Sequence, residues 1–194
     1  MFSKKEEHTL EQKLTAAEAD QLASLLKRAT WPVPLSVFYP LMAFVPTNAI
    51  ELVVIVDDYF ATQPRVMLFP RPDSDPFFAG MVHSAGVVVM RGDTEASALA
   101  RVMTKELGGT ENVSQPRFVG NIFVPMGPLP DGNPRGQEIG HVYYTRWDRV
   151  PLPDNAMLCD PDALPDNIIG FHRNIIEMAV DKYREDFRVR RDRP

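Results

Sequence analysis

Residues 86–108 read GVVVMRGDTEASALARVMTKELG, and the order of residue types in this stretch sets its local structure. A short apolar run from Gly86 to Met90 stops at Arg91-Gly92-Asp93, where a glycine lets the chain turn tightly. Asp93 or Thr94 can cap a following helix, because a short oxygen-bearing side chain there accepts from the free amides of the first turn. Leu99, Val102, Met103 and Leu107 recur at helical spacing as one apolar stripe, and Gly108-Gly109 supplies the stop. The stretch therefore reads as strand, loop and amphipathic helix. Taken alone, such a helix is ordinary.

The register of its punctuation says more. The segment resembles the Nudix box, G-x5-E-x7-R-E-U-x-E-E-x-G with U a bulky apolar residue, and fits it without a gap. Asp93 falls on the first acid, Arg101 on the arginine, Met103 on the apolar position, Glu106 on the last acid and Gly108 on the closing glycine. Three positions depart. Val87 stands at the first glycine, Val102 at the glutamate after the arginine and Lys105 at the first of the paired glutamates. Ser84-Ala85-Gly86 precedes the segment, as in the branch of the superfamily whose box opens on Ser-Ala-Gly. The resemblance implies an α/β fold of the α+β kind: a Nudix-like α/β/α sandwich with a mixed sheet, carrying an extra N-terminal helix and a C-terminal helix.

It also implies a chemistry and its impairment. Residues four apart on a helix share a face, so glutamates at 102 and 106 would together offer hard oxygen ligands to Mg²⁺. Here that pair is Val102 and Glu106, and Lys105 adds a positive charge that suits a phosphate better than a cation. On the resemblance, Asp93 and Glu106 are the metal-ligand candidates. Arg101, Glu106 and Glu138 are the catalytic candidates, with Glu138 supplying an acid from outside the box. Arg65, Arg71, His83 and Lys105 are the ligand-binding candidates, the arginines because a guanidinium clamps a diphosphate bidentately. The expected function is binding of a nucleotide or diphosphate-containing small molecule, with hydrolysis impaired or absent. The alternative is an active Mg²⁺-dependent hydrolase of nucleoside diphosphate derivatives in which Asp93, Glu95 or Glu138 completes the acid set around Glu106.

Outward from the box, Thr15-Ala-Ala-Glu18 is a capping box ahead of Leu22, Leu25, Leu26 and Ala29, which predicts a helix over about 16–29. Trp31-Pro-Val-Pro34 ends it. IELVVIVDD (50–58) and RVMLFPRP (from Arg65) read as strands leading into the box, with Phe77, Phe78, Gly80 and His83 on the approach. RFVGNIFVP (from Arg117) and EIGHVYYTRW (138–147) read as strands after it, joined by a Pro- and Gly-rich loop, Met126 to Gln137, suspected of setting specificity. An apolar helix begins near Asn167. The expected division is a helical extension over 1–34, a Nudix-like domain over 35–187 and a basic tail over 188–194. Phe77, Phe78, Tyr143 and Trp147 are candidates for base stacking, while His83, His141 and His172 lack a metal-ligand spacing.

The composition bounds the partners. A net charge of −5 over 194 residues argues against a general nucleic-acid binder, which gains from counterion release only with a basic surface. A single cysteine, Cys159, rules out an internal disulfide framework and fits a reducing compartment. The charged start, MFSKKEEHTLEQ, does not read as a signal, and no apolar run nears the ~18 to 20 residues of a membrane span. The expectation is a cytoplasmic protein with a small-molecule partner and no membrane partner, a homodimer being left open.

Overall fold

The computed structural model describes residues 14–30, 33–57, 63–148 and 151–191. The chain divides into two compact units, Met1–Leu35 and Ser36–Pro194. In the first, α1 (Ala16–Arg28) starts at the expected capping box: the Glu18 amide donates to the Thr15 hydroxyl and the Thr15 amide donates to the Glu18 carboxylate at 2.8 Å. Lys27 and Arg28 in its last turn face the negative end of the helix dipole.

The second unit is built on a mixed sheet of seven strands: β1 (Thr47–Val56), β2 (Arg65–Pro70), β3 (Val82–His83), β4 (Ala85–Val88), β5 (Arg117–Val124), β6 (Glu138–Trp147) and β7 (Met157–Cys159). The main path runs β3-β2-β1-β6-β5, with β4 also on β1 and β7 on β2. β1 pairs in parallel with β6 from Thr47↔Glu138 to Val56↔Trp147. Its other edge is shared by two antiparallel strands. Val54 to Val56 pair with β2 and Ala49 to Leu52 with β4, so the sheet forks at Val53.

Because alternate residues of a strand face opposite ways, β1 serves two cores. Ile50, Leu52 and Val54 join Ala98, Leu99, Val102, Met103 and Leu107 of α3 (Glu95–Leu107). Val53 and Ile55 join Ile175, Ile176, Ala179 and Tyr183 of α4 (Gly170–Arg191). The sheet thus lies between helices, the α/β/α arrangement with mixed pairing that the sequence implies, and the expected apolar stripe of α3 is fully buried. At its start, the Thr94 side chain accepts from the Ser97 amide; at its end, Gly108 takes the left-handed conformation, φ 76°.

Two elements differ from the sequence reading. A helix, α2 (Leu35–Phe44), follows the proline cluster and carries Pro40 inside it. The prolines that stop one helix also suit the start of the next, where a missing amide costs nothing. α4 begins at Gly170 rather than near Asn167 and runs through Arg191, so the first residues of the basic tail continue the helix. Trp31, Asp58 and the tail's last three residues lie outside the described residues.

Candidate ligand-binding site

Where the sheet forks, buried polar side chains gather from many elements. Glu51 lies on β1 and is 5% exposed, its position on the strand placing it on the same side of the sheet as Val53 and Ile55, the side that α4 covers. Directly across on β4 is Gly86, where a Cβ would come within 3.0 Å of both Glu51 carboxylate oxygens; on β6, a Cβ on Gly140 would meet Glu51 Cγ at 3.2 Å. The two glycines leave the space that the carboxylate takes. Glu138 opens β6, also buried, and its Oε2 accepts from Asn133 Nδ2 at 3.2 Å.

The cations come from two loops. Asp75 accepts from the amides of Phe77 and Phe78 through Oδ1, while Oδ2 takes Arg135 at 2.7 Å and stands 3.8 Å from Arg71. Both guanidiniums lie over the Phe78 ring, 4.4 Å for Arg135 and 5.8 Å for Arg71, where the face of the ring attracts positive charge. One carboxylate and one ring thus hold two arginines side by side. Like-charge contact and burial lower the Arg71 pKa, burial being the larger cause, yet a guanidinium remains charged at neutral pH.

Two histidines complete the cluster. His172, in the first turn of α4, shares a 2.8 Å hydrogen bond with Ser84 Oγ through Nδ1, and the same nitrogen is 3.7 Å from Glu51 Oε2. His83 stands 5.7 Å away, ring centre to ring centre and edge-on. Burial, then Arg71, lower His83 to about 3, and burial with His83 holds His172 well below its usual value. Both rings are neutral at neutral pH. Burial, then the nearby Glu138 carboxylate, push Glu51 well above the ordinary carboxylate range, and burial likewise raises Glu138.

Of the residues singled out from the sequence, Arg71, Phe78, His83, Glu138 and His172 lie in this cluster. Glu106 borders it, close enough to act on Arg71, and its Oε1 accepts from Lys105 at 2.7 Å. Lys105 in turn is near enough to disfavour a charged His83. Asp93 and Arg101 form an ion pair elsewhere, within the box loop. Asp93 also accepts from the Met90 amide and Ser97 hydroxyl, and Arg101 donates to the Val88 carbonyl at 3.0 Å. Arg65 sits at the far end of β1, opposite Val56. Glu95 lies against Tyr143, and Val102, 0% exposed, packs with the α3 core rather than beside Phe77 or Phe78.

Sequence reasoning did not single out Glu51, Asp75, Asn133 or Arg135. Glu51 had a signal, since an acid inside an apolar strand must be paired or protonated. Asn133 and Arg135 fall in the loop suspected of setting specificity.

No sequence-family model matches the chain, and no curated protein sequence matches it. Solved structures do. Over 70% of this chain and 93% of the other, the fold matches a possible asymmetric diadenosine tetraphosphate hydrolase from Jonesia denitrificans, with a TM-score of 0.55 and 16% identity. The Nudix domain of NrtR from Shewanella oneidensis, solved with ADP ribose, matches over 86% of this chain and 98% of its own, with a TM-score of 0.54 and 14% identity. A MutT/nudix family protein from Enterococcus faecalis matches over 90% and 76%, with a TM-score of 0.54 and 18% identity. The chain has the Nudix α/β/α fold. Among the described residues, no helix is long and apolar enough to cross a membrane.

Proposed function

We propose that the chain binds a nucleotide or another diphosphate-containing small molecule beside Arg71 and Arg135, with hydrolysis at the box impaired or absent. The observation that carries this reading is the pair of half-buried guanidiniums, fixed on Phe78 by Asp75, each with a buried Nε that has no partner. Held arginines with free donors match phosphate oxygens in geometry and charge. Two structures of the same fold are linked by name to such compounds, diadenosine tetraphosphate for one and ADP ribose for the other.

The box fits Mg²⁺ poorly, and its departures make it divergent. Val102 is committed to the core, Asp93 to Arg101 and the loop amide, and Glu106 accepts from Lys105. Among the described residues, no three His, Cys, Asp or Glu side chains gather at metal-holding distance.

A second reading, hydrolysis that uses Glu106 with an acid from outside the box, draws support from the unpartnered oxygens Glu51 Oε2 and Glu138 Oε1.

The test is titration calorimetry with ADP ribose and diadenosine tetraphosphate, alongside turnover of both with Mg²⁺ or Mn²⁺. The binding reading expects affinity that Arg71→Met lowers by about tenfold or more, as befits a lost charged hydrogen bond, and no turnover. Metal-dependent turnover that Glu106→Gln abolishes would establish the second reading instead. Absence of binding and turnover in the native protein would sink both.

A further inference from the structure

With every carboxyl ionised, the charge of this cluster is wrong for a phosphate. Arg71 and Arg135 face Asp75, Glu51 and Glu138, so the carboxylates outnumber the guanidiniums, and a diphosphate would deepen the excess. In a buried site such an excess is costly, because little water is present to screen it.

The unpartnered atoms point the same way. Among the described residues, Glu51 Oε2, Glu138 Oε1, Arg71 Nε and Arg135 Nε are all buried without a hydrogen-bond partner. An ionised carboxyl only accepts, as a phosphate oxygen does, whereas a protonated one donates. A single proton therefore relieves both faults. It evens the charges and turns an oxygen that repels phosphate into a donor beside the two guanidiniums. Glu138 is the less suited carrier, since Asn133 already donates to its Oε2 and so favours the charged form. Glu51 Oε2 has no such donor; the His172 nitrogen 3.7 Å away shares its hydrogen bond with Ser84.

Resting on the phosphate-binding reading above, we propose that the anion enters this site together with a proton: Glu51 is protonated in the complex and donates to a phosphate oxygen held by Arg71 and Arg135. The proton comes from solvent wherever the free site holds Glu51 ionised. Burial, then the Glu138 charge, already favour the neutral acid against the pull of Arg71 and Arg135, and an added phosphate acts in the same direction as Glu138. The other groups around Glu51 do not compete for the proton near neutral pH. His83, lowered to about 3, and His172, held well below its usual value, stay neutral. Asp75 is lowered and stays ionised, and on α3 Glu106 is paired with Lys105. The site thus binds diphosphate more tightly as the medium turns acidic.

The experiment measures ADP ribose binding by calorimetry on the full chain from about pH 6 to about pH 9, the span over which a buried glutamate titrates. Each titration is run in two buffers that differ in ionisation enthalpy, which counts the protons taken up. The phosphates of ADP ribose are diesters and lack the second ionisation near ~6 of a monoester, so the charge of the ligand is constant. The affinity is expected to fall as pH rises, steepening towards about tenfold per pH unit, with uptake climbing towards one proton per site, the linkage of a single group. Glu51→Gln, which puts a neutral donor in place of the acid, should level the profile and abolish the uptake, while Glu138→Gln should keep an uptake. Binding with a level profile and no uptake in the native protein overturns the proposal and leaves the phosphate site standing. Uptake that Glu51→Gln leaves unchanged overturns it as well. If ADP ribose binds at no pH, the phosphate reading falls and this one with it. Where Glu51→Gln does not fold, the buffer comparison on the native protein decides.

Discussion

Glu51 shows what a single residue demands of its neighbours. Its carboxyl lies over the sheet only because glycine stands on either side, Gly86 across on β4 and Gly140 on β6. Gly86→Ala would place a methyl 3.0 Å from both carboxylate oxygens, closer than ordinary contact, so the acid must shift. We expect the substitution to cut affinity for ADP ribose by up to about tenfold, the scale of one lost hydrogen bond, while melting and circular dichroism report an intact fold. Unchanged affinity would mean that the position of the Glu51 carboxyl does not matter to the ligand. At this scale little of the site was visible in the sequence. Glu51, Asp75, Asn133, Arg135 and His172 come from a strand, two loops and the start of a helix, and no spacing along the chain relates them. By contrast, Asp93 and Arg101 belong to one loop and the helix it feeds, where spacing does determine contact, and their pairing follows from the box register.

Among the elements, α3 is the one most fully prescribed by its own sequence. Its cap, apolar stripe and left-handed glycine all coincide with the expectation from residues 86–108, because each depends on neighbours within a turn or two. Thr94→Ala removes the side-chain acceptor for the Ser97 amide and should cost about 1 kcal/mol, read as a lower midpoint in urea with an unchanged slope. An unchanged midpoint would show that Asp93 alone caps the helix. α2 lies at the other extreme. It contains a proline and no charged residue, and nothing local announces it; its place depends on distant contacts, the Tyr39 ring on Phe77 at 5.0 Å and the Met42 backbone against Gly136. Those contacts brace the two loops that carry Asp75 and Arg135.

For the molecule as a whole, the buried titrating groups pull stability in opposite directions with pH. His83 is lowered from 6.5 to about 3, so between those values the unfolded chain binds more protons than the folded one. Stability from this group is complete above 6.5 and is lost as pH falls through that window. Glu51 and Glu138 are raised, so above 4.5 the folded state holds more protons. Their contribution is present below 4.5 and is lost as pH rises through their folded values. Glu138→Gln removes one of the raised groups. Its melting temperature relative to the native protein should therefore climb on going from about pH 5 to about pH 8, a window taken from the ordinary and raised carboxyl ranges. A difference that stays flat, or falls, would show that Glu138 ionises freely in the folded state.

The parallel pairing of β1 with β6 also has a consequence for how the protein is made. Thr47 and the residue before β6, Gln137, are 90 positions apart and joined by a backbone hydrogen bond of 2.9 Å. On the ribosome, β1 emerges long before its neighbour exists. During that interval an almost wholly apolar strand, IELVVIV, has only the short antiparallel partners β2 and β4 to shield one of its edges, and non-local strands of this kind are the slow and aggregation-exposed step of folding. Newly synthesised chains are thus most vulnerable to clumping, and most in need of chaperone attention, before Trp147 has left the exit tunnel.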